Sequence, residues 1–464
     1  MATNPPPPQA LPHRATSFWR GLACLLLGAL IAVLGVAYVS LAQVRANAPG
    51  SNDFFTFYGS AQRALAGKSP YGSVPTPPPP GHPCHRHSPE QLEAASTQAD
   101  HQDLALELRC RPANLNPPAF SVLMMPLAWM SLPAASTAWA VCSMACAIIA
   151  VWLVLDALSL PPSARPGARG LAFLASAAGL LAWFPTFANF LFGQVSLVLL
   201  LPIVLSWRAL RSGRPVQAGA WLGLLMGLKV FFGLFLLPLW LMRQRRALAS
   251  ALSVLGLTLL VGLWPAGLQG YADYVQGLGG VHWTAVNWNG SLQGHVSRIL
   301  GGSGNHPWLD APLAARGITW LADGTVLWFL CVALRKLPSA PSSPQVHQAD
   351  ALFGLTLPAM LLLSPLGWLY YDPWLMLPAA LVWTWGRTSL RPRAVTLGLV
   401  LLATMAAAPR AFTLSYFTNT PRTWLLDWGF YTYLLLGLFG MAVVLSRSAQ
   451  PPPPRSEAPD CKAA

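Results

Sequence analysis

Two charged side chains interrupt apolar parts of the sequence, where a charge is costly. Asp53 follows the apolar run 18–42 within NDFFTFYG, and Lys229 lies inside GLLMGLKVFFGLF. Such a charge is tolerated when it faces water, a cavity or an opposite charge, so these residues are functional candidates. A positioned carboxylate can act as a general base, and an ammonium group can bind an anion such as a phosphate. The alternative for both is an anchoring or capping role at the membrane interface.

Further polar residues lie where apolar runs begin or end on the same side as these two. They are Asn189, Gln194, Asn287, Asn289, Gln293, His295, Arg298, Ser364, Trp368, Tyr370, Tyr371 and Asp372. Taken singly, each Asn or Gln is better interpreted as an interfacial anchor or helix cap. Taken together on one wet face above an apolar bundle, they suit the binding of a polar lipid head group.

Composition places the chain among membrane proteins. Of 464 residues, 54% are hydrophobic and only 9% are charged, against about 25% charged in typical soluble domains. The formal net charge of +14 comes from short basic clusters between apolar runs. This arrangement is typical of membrane topology signals, and no nucleic-acid partner is expected.

The apolar runs predict an all-α polytopic membrane protein. The run 18–42 exceeds the roughly 20 residues that a helix needs to cross the bilayer, and it predicts an uncleaved first span. From residue 165 onward, neighbouring basic clusters enclose two apolar runs each, so all the clusters can be cytoplasmic together. The prediction is about twelve transmembrane helices with both termini cytoplasmic. The short segment 117–132, which begins near two prolines, is then re-entrant or interfacial.

The same pattern divides the chain into one membrane domain, 18–446, and two tails. The Pro-rich segments 1–17 and 447–464 are predicted to be disordered and cytoplasmic. A large first extracytoplasmic loop, 45–116, contains a juxtamembrane helix. Cys84 and Cys110 both lie in this loop, where they could form a disulfide. The sequence contains no CxxC pair, which argues against a zinc ribbon or a thioredoxin-like site.

Four segments, in order, resemble glycosyltransferase family 87. They are DFFTFYGSAQRALAGKSPYG, NPPAFSVLMMPLAWMSLP, GQVSLVLLLPIVLSWRALRSGRPVQAGAWLGLLMGLKV and LLLSPLGWLYYDPWLMLPAAL. The resemblance covers most of residues 45–380. It implies a GT-C-like bundle in the bacterial inner membrane. The implied reaction moves a hexose, mannose-like, from a polyprenyl-phosphate donor to an envelope glycolipid or glycan acceptor on the extracytoplasmic face.

The resemblance also implies roles for individual residues. Asp53 would be the general base, kept ionised by water on the outer face and by nearby Lys229. Binding of the donor phosphate or sugar is assigned to Lys229, Gln194, Asn189, Tyr370 and Tyr371. Contacts to the acceptor or the loop are assigned to Asn287, Gln293 and His295. Asp53-Phe54-Phe55 is not a DxD motif, so neither a metal nor another cofactor is expected.

The sequence departs from the family in one place and leaves other functions open. Relatives often read Ser-Pro-x-Ser-Trp-x-His-His where this chain reads SPLGWLYY, so Tyr370 and Tyr371 replace two histidines. Tyrosines stay neutral near pH 7, and the sugar is therefore not fixed as mannose. A transporter or flippase of lipid-linked glycans would also use polar residues and broken helices within the membrane. A further alternative is a family member that binds a prenyl-phosphate lipid without catalysis.

Overall fold

The chain folds into a bundle of α-helices. The computed structural model describes residues 13–47, 53–71, 114–158, 166–279, 284–285, 288–301, 309–337, 344–388 and 430–448. Within these ranges the helices are α1 (His13–Ala46), α2 (Asp53–Leu65), α3 (Pro118–Ala128), α4 (Leu132–Leu158), α5 (Pro166–Ala182), α6 (Phe184–Phe192), α7 (Ser196–Arg211), α8 (Pro215–Leu228), α9 (Leu236–Leu241), α10 (Arg245–Gly279), α11 (Leu292–Leu300), α12 (Pro312–Arg335), α13 (Pro344–Leu363), α14 (Met376–Thr388) and α15 (Phe430–Ser448). Two 3-10 helices, Val230–Phe235 and Leu369–Leu375, precede α9 and α14.

Several helices are long and apolar enough to cross a membrane. In the part of the chain that is described there are five, within α1, α4, α10, α12 and α13, or six if the bent pair α5 and α6 is one span. Shorter apolar helices are α3, α8, the segment Val230–Leu241 and most of α15. The all-α membrane class is confirmed, whereas the number of twelve spans stays a prediction.

The structure describes both ends of the predicted first loop, residues 53–71 and 114–116. The juxtamembrane helix predicted there is α2, which begins at Asp53. Helix α3 has 11 residues, a length of about 16 Å, which is too short for a hydrocarbon core about 30 Å thick. Helix α1 begins at His13, inside the segment predicted as a tail. Cys84 and Cys110 lie outside the described residues, and their disulfide stays a prediction.

Three breaks in the helices place irregular backbone inside the bundle. Helices α5 and α6 meet at an angle of 56°. Helix α8 ends at Leu228, and a 3-10 helix begins at Val230. The second 3-10 helix, Leu369–Leu375, leads directly into α14. Non-helical backbone at membrane depth is tolerated only where protein or a water-filled cavity satisfies its polar groups. Such breaks are therefore candidate borders of a site.

Helix α8 lies unusually close to α10 because three glycines, four residues apart, face it. A Cβ on Gly219 would lie 2.1 Å from the carbonyl oxygen of Ala247, and one on Gly227 would lie 2.1 Å from Thr258 Oγ1. Small residues at this spacing let membrane helices approach closely and gain dispersion contacts. The close packing fixes the direction of α8 and thereby the position at which it ends.

The C-terminal end of α7 carries two arginines, and both form ion pairs with neighbouring helices. Arg211 Nε lies 3.1 Å from Asp350 Oδ1 of α13, and Trp207 Nε1 donates to the same oxygen at 2.8 Å. Arg208 pairs with Asp156 of α4 at 2.9 Å. Asp350 is buried, and a buried carboxylate is stable only when paired, so its contacts hold α7 and α13 together. The pair with Asp156 is exposed and adds little.

The glycine packing predicts a difference between two substitutions. Gly223→Ala would place a Cβ 2.4 Å from the carbonyl oxygen of Ala251, on the backbone of α10. We expect this variant to lose about 1–3 kcal/mol of stability, because the two helices must separate. Gly256→Ala, on α10 itself, meets nothing within 4 Å and should be neutral or slightly stabilising. Thermal unfolding of both purified variants in one detergent checks this, and equal midpoints would contradict it.

Candidate active site

Asp53 is placed by the packing of α2 on α3. Helix α2 buries one face, including Phe54 and Phe57, and Phe57 packs edge-on against Phe120 of α3 with ring centres 4.9 Å apart. Asp53 is the first residue of α2 and is half-buried. Its carboxylate accepts a hydrogen bond from the side-chain amide of Gln194. The structure therefore brings together two residues that are far apart in sequence.

Gln194 reaches Asp53 because the turn between α6 and α7 lies directly against the start of α2. Gly193 ends α6 in the left-handed conformation, with φ 65° and ψ 37°. A Cβ at this position would lie 2.5 Å from Phe54 Cβ. Trp139 Nε1 of α4 donates to the carbonyl oxygen of Gly193 at 3.1 Å and fixes the turn. Glycine is needed here for both its conformation and its size.

Lys229 enters the site from the break between α8 and the following 3-10 helix. Its backbone is extended, with φ −147° and ψ 109°, and the residue is only 5% exposed. Its Nζ donates to the hydroxyl of Tyr371 at 3.0 Å and lies 5.3 Å from the centre of the same ring. The Tyr371 ring stacks on Trp374, 4.9 Å away. An ammonium group has three donors, so the contact with Tyr371 does not exhaust its capacity to bind an anion.

The carboxylate and the ammonium group interact across the site. Burial raises the pKa of Asp53 to about 6, while the hydrogen bond from Gln194 and the charge of Lys229 act in the opposite direction. The sequence led us to expect that water and Lys229 would favour the ionised form, and desolvation outweighs them. A carboxylate with a pKa near neutral is suited to accept and release a proton at physiological pH.

Two further predicted residues support this centre. Asn189 is buried, and its amide donates to the backbone carbonyl of Tyr370 at 3.3 Å. Asn189 and Gln194 also line a small pocket together with Phe54 and Trp139. Gln194 Oε1 has no hydrogen-bond partner among the described residues, and it can accept a hydrogen bond from a ligand. Asn189 thus helps to position Tyr370. Gln194 donates through its amide nitrogen to Asp53 and leaves its amide oxygen for a ligand.

Asn289 has a role that its sequence context did not reveal. It is 0% exposed, and its amide donates to the carbonyl oxygens of Thr284 at 2.7 Å and Pro365 at 2.8 Å. Its Oδ1 accepts from the backbone N–H groups of Ser291 at 3.1 Å and Gly367 at 2.9 Å. Every polar atom of the amide is paired, so Asn289 fixes the segment that leads to Tyr370. An Asn near a loop is too common a pattern to indicate this.

Two of the residues predicted to contact the acceptor lie on α11, and the third is not among the described residues. Helix α11, which carries Gln293 and His295, packs on α12 and α13. His295 contacts Tyr433 of α15 edge-on, with ring centres 5.3 Å apart, and Gln293 is half-buried. Asn287 lies outside the described residues. The acceptor role of these residues stays a prediction.

Comparison with known proteins identifies one family. The sequence profile of glycosyltransferase family 87 matches residues 114–365, more than half of the chain. The match includes Gln194 and Lys229, and Asp53 precedes it.

Two curated relatives carry the name polyprenol-phosphate-mannose-dependent alpha-(1-2)-phosphatidylinositol mannoside mannosyltransferase. The one from Mycobacterium tuberculosis is 28% identical over 298 residues, covering 62% of this chain and 65% of the relative. The one from Mycolicibacterium smegmatis is 28% identical over 284 residues, covering 57% and 60%. The chain therefore spans less than two thirds of either relative. No solved structure matches the chain.

The turn at Gly193 predicts a graded loss of stability. Gly193→Ala combines a positive φ with a clash against Phe54 Cβ at 2.5 Å, whereas Gly213→Ala combines a φ of 72° with a 3.3 Å contact to the flexible amide of Gln345. We expect about 1–2 kcal/mol for the conformation in both variants, and about 1–3 kcal/mol more for the clash at Gly193. Thermal unfolding measures the difference. Equal losses would show that the turn does not lie tightly against α2.

Proposed function

The chain belongs to glycosyltransferase family 87, and from this membership we propose that it transfers a hexose from a polyprenyl-phosphate donor to a hydroxyl group of an envelope glycolipid or glycan. The observation that carries the proposal is the convergence of Asp53, Gln194, Lys229 and Tyr371 from four distant parts of the sequence. A carboxylate and a buried cation that interact electrostatically match the needs of this reaction.

The proposed reaction is a single displacement at the anomeric carbon. Asp53 takes the proton of the acceptor hydroxyl as its oxygen bonds to the anomeric carbon. The bond between that carbon and the phosphate oxygen breaks, and its electron pair leaves with the polyprenyl phosphate. Attack from the face opposite the phosphate inverts the configuration of the sugar.

Lys229 is proposed to bind the phosphate and to stabilise the negative charge that it gains. The ammonium group is held by the Tyr371 hydroxyl at 3.0 Å, and its remaining donors can contact phosphate oxygens. Charge-assisted hydrogen bonds of this kind are strong, and they are stronger where water is excluded. Gln194 holds the carboxylate of Asp53 in place and offers Oε1 to a ligand hydroxyl.

The sugar and the acceptor are proposed from the named relatives. Both named relatives are dependent on polyprenol-phosphate-mannose and act on phosphatidylinositol mannosides, by their names. We extend this to a mannose-like hexose and a lipid-borne acceptor for the present chain. Tyr370 and Tyr371 are proposed to contact the donor with neutral hydroxyl groups in place of imidazoles.

The proposed location is the bacterial inner membrane, with about twelve crossings and both termini in the cytoplasm. Arg208 and Arg211 lie in the last turn of α7, whereas Gln194 immediately precedes its first turn. The positive-inside rule puts the arginine end in the cytoplasm. The site is then extracytoplasmic, on the side where a lipid-linked sugar would meet envelope acceptors.

This orientation can be tested by labelling in cells. In a background without native cysteines, Lys68→Cys should react with a membrane-impermeant thiol reagent, because the exposed segment after α2 lies outside. Ser212→Cys, equally exposed at the other end of α7, should react only after the cells are permeabilised. Labelling of Ser212→Cys in intact cells would place the site in the cytoplasm and contradict the proposed orientation.

Substitution of Asp53 tests the reaction itself. Asp53→Asn keeps the shape and removes the base, so transfer from polyprenyl-phosphate mannose in reconstituted vesicles should fall by a factor of about 100 to 10,000. In the wild type, kcat/KM should rise with pH through the pKa of about 6, since the base must be deprotonated. Any residual activity of Asp53→Asn should lack this rise.

Asp53→Glu is the matched control, and it should recover only part of the rate because the added methylene displaces the carboxylate. Transfer by Asp53→Asn at the wild-type rate would contradict the proposed base. Movement of the lipid-linked sugar across the vesicle membrane without formation of a new glycosidic bond would instead favour a transporter, which the broken helices also permit.

A further inference from the structure

Helix α10 changes direction at a glycine near its end. Gly267 has φ 58° and ψ −169° inside the helix, a combination that is open almost only to glycine. Pro265 precedes it and interrupts the helical hydrogen bonds. The segment of α10 after the kink therefore differs in direction from the part before it. This segment carries Tyr274, which no sequence pattern had singled out.

The hydroxyl group of Tyr274 is buried without a hydrogen-bond partner among the described residues. The residue is 7% exposed, and its ring lies 5.6 Å from that of Tyr71. Leaving a buried hydroxyl unpaired is costly, so native structures rarely keep one without a partner of some kind. A ligand that brings a hydrogen-bonding group to this point would remove the cost.

Tyr71 and Tyr274 are held together by contacts on both sides. Ser69 Oγ donates to the carboxylate of Asp273 at 2.5 Å, which ties the segment after α2 to the end of α10. The hydroxyl of Tyr71 donates to the carbonyl oxygen of Asn116 at 2.5 Å. Tyr71 is thus fixed through its own hydroxyl and leaves the hydroxyl of Tyr274 as the open group of the pair.

This pair adjoins the proposed active site. Tyr371, which binds Lys229, interacts electrostatically with both Asp53 and Tyr274. Tyr274 is therefore near enough to Tyr371 to affect it, and Tyr71 follows α2, the helix that starts at Asp53. The two rings lie side by side, with their centres 5.6 Å apart.

We propose that Tyr274 and Tyr71 form a sugar-binding wall, in which the Tyr274 hydroxyl hydrogen-bonds a hydroxyl group of a pyranose. Aromatic rings offer a flat apolar surface to the C–H face of a sugar, and a phenol adds a polar contact at its end. The inference rests on the proposed function for the identity of the ligand. The same chemistry would suit the sugar of the donor or that of the acceptor.

The test compares sugar-bearing and bare lipids on the purified protein in nanodiscs. Binding of polyprenyl-phosphate mannose, polyprenyl-phosphate glucose and bare polyprenyl phosphate is measured for the wild type and Tyr274→Phe. If the donor sugar is bound, the variant should lose about 3- to 10-fold in affinity for the preferred sugar-bearing lipid, the usual worth of one neutral hydrogen bond. Its affinity for bare polyprenyl phosphate should not change.

If the acceptor sugar is bound, both donor affinities should stay unchanged and KM for an alkyl mannoside acceptor should rise by a similar factor. Tyr271→Phe is the matched control, because its hydroxyl donates to the carbonyl oxygen of Leu259 within α10, at 2.7 Å. This control should leave affinities and KM unchanged.

Other results would overturn the inference. They are an unchanged Tyr274→Phe in every measurement and an equal loss of affinity for bare and sugar-bearing lipids. Lys229→Met separates this from the proposed function, since it should weaken binding of the bare and the sugar-bearing lipids alike. If Lys229→Met binds the lipids as tightly as the wild type while Tyr274→Phe behaves as expected, Lys229 does not bind the phosphate, and the proposed role of Tyr274 stands.

Discussion

A buried ammonium group facing a carboxylate is the constraint on which the rest of the structure depends. Lys229 is 5% exposed within an apolar bundle, and an uncompensated charge there would be very unfavourable. The hydroxyl of Tyr371 and the charge of Asp53 compensate it. Keeping these groups in place requires α8 to end at Leu228 and α2 to begin at Asp53. The irregular backbone around the site follows from that requirement.

Glycines make this arrangement possible at two levels. The glycines of α8 have no side chain at the interface with α10, so the two helices pack closely. This close packing fixes the end of α8. At Gly193 a single left-handed residue lets a turn touch the first residues of α2. In each case a missing side chain, not an added contact, determines where a charged residue lies. Packing thus sets the positions of Asp53 and Lys229, and such positioning is what a reaction between bound groups requires.

The sequence indicated which charged residues were candidates, and the structure shows which of them lie near one another. Asp53 and Lys229 were recognisable because a charge is rare beside or within an apolar run, and the family resemblance connected them with Gln194 and Tyr371. The paired amide of Asn289 and the position of Tyr274 were not recognisable, since both depend on contacts between segments far apart in sequence. The burial that raises the pKa of Asp53 was missed for the same reason. Long helices such as α4 were predicted well from their apolar runs. The runs on either side of Lys229 gave no sign that a 3-10 helix would follow it.

A structure of the protein with a bound polyprenyl-phosphate sugar would test the central claim most directly. The account predicts that the phosphate contacts Lys229 Nζ and the Tyr371 hydroxyl. It also predicts that the anomeric carbon faces Asp53, with room for an acceptor hydroxyl between them. A phosphate bound away from Lys229, or a sugar whose anomeric carbon points away from Asp53, would contradict it.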